Sequence, residues 1–112
     1  MLSHEKLDVY RLPIRFLAPT RRIIKKLPRG NADIADQLTR ASRSIPLNIA
    51  EGAGKTTAAH RARYWGDARG SALECGACLD VLQEEELVEP SDFTEGKELL
   101  ERIVAMLTKM CR

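Results

Sequence analysis

Residues 51–60, EGAGKTTAAH, carry two incompatible readings. Gly54-Lys55-Thr56 spells the GKT that closes a phosphate-binding loop and opens a helix, which would imply a nucleotide-binding α/β protein. The same residues also read as a helix stop followed by a helix start, with Gly52 and Gly54 ending one segment and Thr57 capping the next. A phosphate loop of the form G-x-x-x-x-G-K-[ST] would put its first glycine at position 49, where Ile49 stands. It would also follow a buried strand. Upstream, however, Ile34, Leu38, Ala41, Ile45 and Ile49 recur at steps of four and three, an apolar helical stripe. The stretch is therefore a turn between helices, and no nucleotide site is expected.

Four helical segments can be read. The second spans about Ala32 to Glu51, with Asn31 as a candidate cap and with Gln37, Arg40, Ser44, Asn48 and Glu51 as a polar stripe. Pro46 lies inside it, so a bend is expected. The third spans about Ala58 to Glu86, with Trp65, Ala68, Ala72, Cys75, Leu79 and Leu82 as its apolar seam. Gly66, Gly70 and Gly76 cost it about 1 kcal/mol each relative to alanine. Close approach of a neighbouring helix is the expected offset. The fourth begins near Pro90, with Phe93, Gly96, Leu100, Ile103, Leu107 and Met110 in register.

The first spans about Asp8 to Leu27 and buries Val9, Leu12, Phe16, Ile23 and Leu27. Pro13 and Pro19 interrupt it. An interior proline costs a helix about 3 kcal/mol or more, so a kink or break is expected near Pro19. No strand pattern is present. The fold class expected is all-α, an antiparallel up-down four-helix bundle forming one domain over residues 1–112.

A chain of 112 residues has room for one core. No apolar run approaches the roughly 20 residues of a membrane span. The opening MLSHEKLDVYR places charges where a signal peptide has its apolar stretch, and the three cysteines are an odd count for a disulfide framework. A cytoplasmic location and no membrane association are expected. Net charge is only +2, but residues 1–63 hold 13 Lys/Arg against 5 Asp/Glu, whereas residues 64–112 hold 5 against 11. The basic half could face nucleic acid, or the two halves could meet between subunits.

Three chemistries need weighing besides the GKT. Cys75-Gly76-Ala77-Cys78 is a lone CxxC in mid-helix, and His4, His60 and Cys111 stand at spacings unsuited to zinc, so buried packing is expected and no metal. No nucleophile–base pair is evident, Glu84 to Glu86 read as a solvated helix end, and no catalytic residue or cofactor is expected. Arg11, Arg15, Arg21, Arg22, Lys25, Lys26, Arg29, Arg40 and Arg43 form a dense basic set. Such density suits phosphate neutralisation or a solvated face. Few aromatics lie among these residues, so contact would be to backbone or shape rather than to stacked bases.

Residues 44–52, SIPLNIAEG, resemble the signature of the bacterial four-helix-bundle family of 23S rRNA intervening-sequence proteins. Residues 68–74, ARGSALE, resemble that family's A-x-G-S-x-x-E on its third helix, and KLDVYR at 6–11 its opening. The resemblance implies an up-down bundle assembling as a homopentameric ring, without an established activity. More distantly, the chain is similar to the accessory protein of diversity-generating retroelements, a basic pentameric barrel that binds nucleic acid and a reverse transcriptase. The partners so implied are other copies of the chain, RNA or DNA, and a protein such as a reverse transcriptase. Pro13 and Pro19, and Cys75, Gly76 and Cys78, depart from the family pattern. Its signature residues here are Ser44, Pro46, Asn48, Glu51, Gly52, Gly70, Ser71 and Glu74.

For these residues a structural role is expected. Gly70 would let two helices approach while the polar groups hydrogen-bond across the contact or to the Gly52–Gly54 turn. The alternative is a small-ligand or ion site lined by Asn48, Glu51 and Glu74. The expected protein is a non-enzymatic, oligomeric bundle that binds nucleic-acid backbone. Its rival is a structural or protein-docking ring without that affinity.

Overall fold

A computed structural model describes residues 2–112, with Met1 outside them. Among the described residues there are four α-helices and no strand: α1 (Asp8–Lys25), α2 (Ala32–Ala53), α3 (Ala58–Glu84) and α4 (Pro90–Met110), preceded by a 3-10 turn at Ser3–Lys6. The longest connection, residues 26–31, reaches about 21 Å when fully extended. The shortest helix, 18 residues long, spans about 27 Å. No connection can return the chain to the start of the preceding helix, so consecutive helices run antiparallel. Each helix packs on the next and α4 closes back on α1, giving a four-membered bundle.

The apolar stripes meet along its axis. Phe16, Leu38, Ile45, Ile49, Cys75, Leu79, Leu82, Ile103 and Leu107 are wholly buried in one cluster. Trp65, Phe93, Leu27 and Met110, at the ends of the expected stripes, are only partly buried.

The prolines do not break α1. Pro13 and Pro19 lie inside an uninterrupted helix, as Pro46 does in α2, and all three are buried. A ring at a core position contributes apolar burial that offsets its missing hydrogen bond. α1 does stop two residues early, at Lys25, because Leu27 precedes Pro28 and is disfavoured in the helical region.

At the α2–α3 turn, the His60 N–H donates to Thr57 Oγ1 at 3.2 Å, so Thr57 is the cap. Asn31 holds the N-cap position of α2, as expected, but its side chain makes no capping hydrogen bond. Its side-chain amide donates to the Pro28 carbonyl at 3.0 Å and ties the preceding turn together. α2 continues through Gly52 to Ala53, and Gly54 follows at φ −83°, which any residue adopts. α3 ends at Glu84 because Glu86 turns left-handed at φ 59°. There the Leu87 N–H reaches back to the Leu82 carbonyl at 2.8 Å. This position favours glycine. Glu86→Gly is expected to stabilise the fold by about 0.5–1 kcal/mol after the added freedom of the unfolded chain is counted. It should raise the urea midpoint at unchanged slope; a lower midpoint would contradict the assignment.

The glycines of α3 do not mediate close packing within the chain. A methyl group on Gly66 or Gly70 would meet nothing within 4 Å, and one on Gly76 only Leu100 Cδ1 at 4.0 Å. The tight contacts are elsewhere. A Cβ on Gly52 would fall 2.6 Å from Trp65 Nε1, and one on Gly96 would fall 2.9 Å from Leu79 Cδ1.

Candidate nucleic-acid interface

The nine basic residues divide among several environments. Arg22 and Lys26 turn toward α4, where Arg22 Nε donates to Asp92 Oδ1 at 3.0 Å and Nη2 to Glu95 at 3.0 Å. Lys26 Nζ stands 3.9 Å from Asp92 Oδ2. Asp92 is only 6% exposed, so these cations balance a buried carboxylate. The hydrogen bonds to Asp92 and then Glu95 raise the Arg22 pKa further above its ordinary value. Arg11 is held near the N-terminal turn, its Nε donating to the Glu5 carbonyl at 3.2 Å and its Nη1 lying 3.8 Å from Asp8. Arg15 lines a mixed-charge groove with Glu95, Glu98 and Arg102. Arg29 is exposed in the α1–α2 connection.

Arg21 and Lys25, one turn apart on α1, converge with Arg43 of α2 on a single groove of about 190 Å³. Leu17 and Ile24 line its apolar part, and Thr20, Thr39 and Ser42 complete the wall. Among the described residues, no carboxylate lies within ion-pairing distance of Arg21, Lys25 or Arg43. Three uncompensated cations in one concavity raise the local potential for an anion. The i, i+4 spacing of Arg21 and Lys25 is visible in the sequence. Arg43 belongs to the same sequence-predicted set, but its sharing one groove with Arg21 and Lys25, and the hydroxyl wall, are legible only in the fold.

Of the signature residues, Ser44, Asn48 and Ser71 meet on the α2–α3 seam and form only part of the expected network. Ser44 Oγ and Ser71 Oγ share a hydrogen bond of 2.9 Å across the seam. The Asn48 amide donates to Ser44 Oγ at 2.9 Å and to the Ser44 carbonyl at 3.0 Å. Glu51 and Glu74 are exposed and stand outside this triad. Glu51 pairs with Lys55 at 3.4 Å. Arg40 and Glu74 flank a polar cleft with Gln37 and the two serines, while Arg40 Nε donates weakly to the Asp36 carbonyl at 3.4 Å. Gly52 acts as a seat for Trp65, whose Nε1–H donates to the Ile49 carbonyl at 3.3 Å. Pro46 is a core residue.

Lys55, the lysine of the GKT, also lies 5.1 Å from the centroid of the Tyr64 ring. With Glu51 on its other side, it serves the turn between α2 and α3. Among the described residues, no group of three or more His, Cys, Asp or Glu is placed to hold a metal. Among the described residues, no helix is long and apolar enough to cross a membrane.

Cys75 and Cys78 are buried and Cys111 is half-buried. Burial, followed by the neighbouring Cys78 and Glu74, pushes the Cys75 thiol far up; burial and then Glu74 push up Cys78. Since the thiolate is the reactive form, the folded protein should alkylate at Cys111 first. Mass spectrometry of native and urea-unfolded samples checks this, and rapid native labelling of Cys75 would contradict it. Because folding raises these two pKa values, their contribution to stability is intact below the unfolded thiol value of about 8.5. It is lost as pH rises above that value, since only the unfolded chain readily releases the protons.

Four helices packed in a cycle, with a basic groove on one side and a hydroxyl–amide seam on the next, define a helical-bundle protein. The family described as 23S rRNA-intervening sequence protein matches residues 5–109, and the chain belongs to that family. The resemblance carried by residues 44–52 and 68–74 is thus established at family level. Among solved structures, the chain is similar to a protein of unknown function from the S23 ribosomal protein family of Bacteroides thetaiotaomicron VPI-5482. The TM-score is 0.84 at 19% identity, over 93% of this chain and 98% of that one, a likeness of fold. No curated protein matches the sequence.

Proposed function

We propose that this chain is a single-domain, non-enzymatic, cytoplasmic protein that assembles with copies of itself, five to a ring, and binds the phosphate backbone of RNA or DNA. The observation that carries the binding is the convergence of Arg21, Lys25 and Arg43 on one groove without a carboxylate to neutralise them. Self-assembly is supported by an exposed strip on α3, where Gly66, Gly70, Leu73, Ala77 and Val81 lie one turn apart without a covering helix. Leu73 and Val81 are 49% and 45% exposed, which favours a partner surface. Opposite charge on the two halves of the chain supports a head-to-tail contact. A protein partner such as a reverse transcriptase rests on the distant resemblance alone.

The test is binding of labelled duplex DNA and structured RNA across a salt series, with the oligomer mass followed by light scattering. Submicromolar binding is expected at about 0.15 M salt. The logarithmic salt slope should be near −0.9 per phosphate contact on duplex DNA. Reversing Arg21, Lys25 and Arg43 to Glu should abolish binding or flatten the slope by about two to three. Negligible binding at every salt concentration would overturn this reading and leave a scaffold ring.

A further inference from the structure

The side-chain hydroxyls of the α1–α2 groove have already committed their protons. Thr20 Oγ1 lies 2.9 Å from the Phe16 carbonyl, Thr39 Oγ1 lies 2.7 Å from the Ala35 carbonyl, and Ser42 Oγ lies 3.0 Å from the Thr39 carbonyl. A carbonyl oxygen can only accept, so each hydroxyl is the donor and presents lone pairs on its other side. Thr20 and Ser42 are almost wholly buried, at 3% and 2% exposure. Thr39 is the half-buried one of the three and lines the groove, so of the three oxygens its Oγ1 is the candidate acceptor for a ligand there.

This combination is selective. A phosphate oxygen needs donors, which the cations Arg21, Lys25 and Arg43 supply. An acceptor among them offers a phosphate nothing. It suits a ligand that carries a hydroxyl donor close to its phosphate, with sugar carbons to lay against Leu17 and Ile24. A ribose-phosphate chain has that pattern, and deoxyribose lacks the hydroxyl.

Resting on the phosphate-binding reading above, we infer that the α1–α2 groove is a ribose-phosphate site that favours RNA over DNA by accepting a 2′-hydroxyl proton at Thr39 Oγ1. No aromatic side chain lines the groove. Recognition is therefore of the backbone and independent of base sequence.

The experiment measures binding of single-stranded RNA and DNA oligonucleotides of one sequence to the wild-type, Thr39→Val, Thr39→Ser and Arg21→Glu/Lys25→Glu/Arg43→Glu proteins. Each protein is first checked by circular dichroism. The wild type should prefer RNA by about fivefold, the value of one hydrogen bond. Thr39→Val should lower RNA affinity to the DNA value and leave DNA affinity unchanged. Thr39→Ser should keep the preference, and the triple reversal should lose both ligands. Equal wild-type affinity for RNA and DNA, or an RNA preference that Thr39→Val leaves intact, overturns the assignment while phosphate binding stands. Should Thr39→Val unfold, loss of the RNA preference in Thr39→Ser overturns it as well. Absence of binding to either nucleic acid overturns the phosphate-binding reading and this inference with it.

Discussion

Replacing Leu79 with alanine is expected to lower the unfolding free energy by about 3 kcal/mol, within the range for a wholly buried leucine. Leu79 sits on the α3 seam with no exposed surface. Its Cδ1 fills the space above Gly96 of α4, where a glycine Cβ would fall 2.9 Å away. The loss has two parts: transfer of the side chain out of the core, and the cavity left between α3, α4 and α1. Phe16 Cε1 lies 3.4 Å from the same Gly96 position, so the cavity opens toward the largest core aromatic. A second substitution makes the prediction sharper. Gly96→Ala alone gains about 1 kcal/mol of helix propensity and loses a similar amount by crowding Leu79. In Leu79→Ala the crowding vanishes and the added methyl enters the vacated space. The double variant should be at least about 1 kcal/mol more stable than the sum of the two single effects. Urea unfolding of all four proteins gives this coupling. Strict additivity would mean that Gly96 and Leu79 do not share the space.

Gly52→Ala is expected to destabilise the protein by about 2 kcal/mol despite alanine's better helix propensity. The new methyl would lie 2.6 Å and 2.7 Å from Trp65 Nε1 and Cδ1 and 3.1 Å from Tyr64 Cβ. An indole ring cannot yield as a flexible chain end does. Trp65 must rotate out, and its hydrogen bond to the Ile49 carbonyl is lost with it. Trp65 is the sole tryptophan, so its fluorescence reports the event directly. A red-shifted native emission with reduced stability is the expected pair of results. Unchanged emission and higher stability would show that the seat is not tight.

These contacts mark the limit of what periodicity conveys. The stripes through Ile34–Ile49, Trp65–Leu82 and Phe93–Met110 disclose α2, α3 and α4, because a helix facing a core repeats its apolar residues at a period set by its own geometry. The break allowed for near Pro19 is absent because the cost of a proline is local, whereas the burial of Pro13 and Pro19 depends on helices far away in the chain. Glycines posed the same difficulty. Gly52 and Gly70 look alike as letters, yet one faces an indole and the other open space. In the basic set, Arg21 and Arg22 are neighbours in sequence but point about 100° apart around the helix. One faces the groove and the other reaches Asp92 on α4. A charge count cannot separate them. The committed hydroxyl protons of Thr20, Thr39 and Ser42 were equally beyond reach, since only coordinates reveal which carbonyl each one meets.

The division of charge between the two halves has a consequence for handling the protein. With a net charge of +2 spread as an excess of Lys/Arg over residues 1–63 and of Asp/Glu beyond them, the two halves of the chain carry opposite charge at low overall charge. At low ionic strength, oppositely charged halves of different molecules attract over the Debye length, about 30 Å at 0.01 M salt. Solubility should then rise as salt is added, and the protein should be retained by both cation and anion exchangers. Such clustering would compete with the proposed nucleic-acid contact for the same cations in dilute buffers, where phosphate contacts in general are strongest. Salt slopes are therefore most informative above the concentration at which light scattering becomes constant.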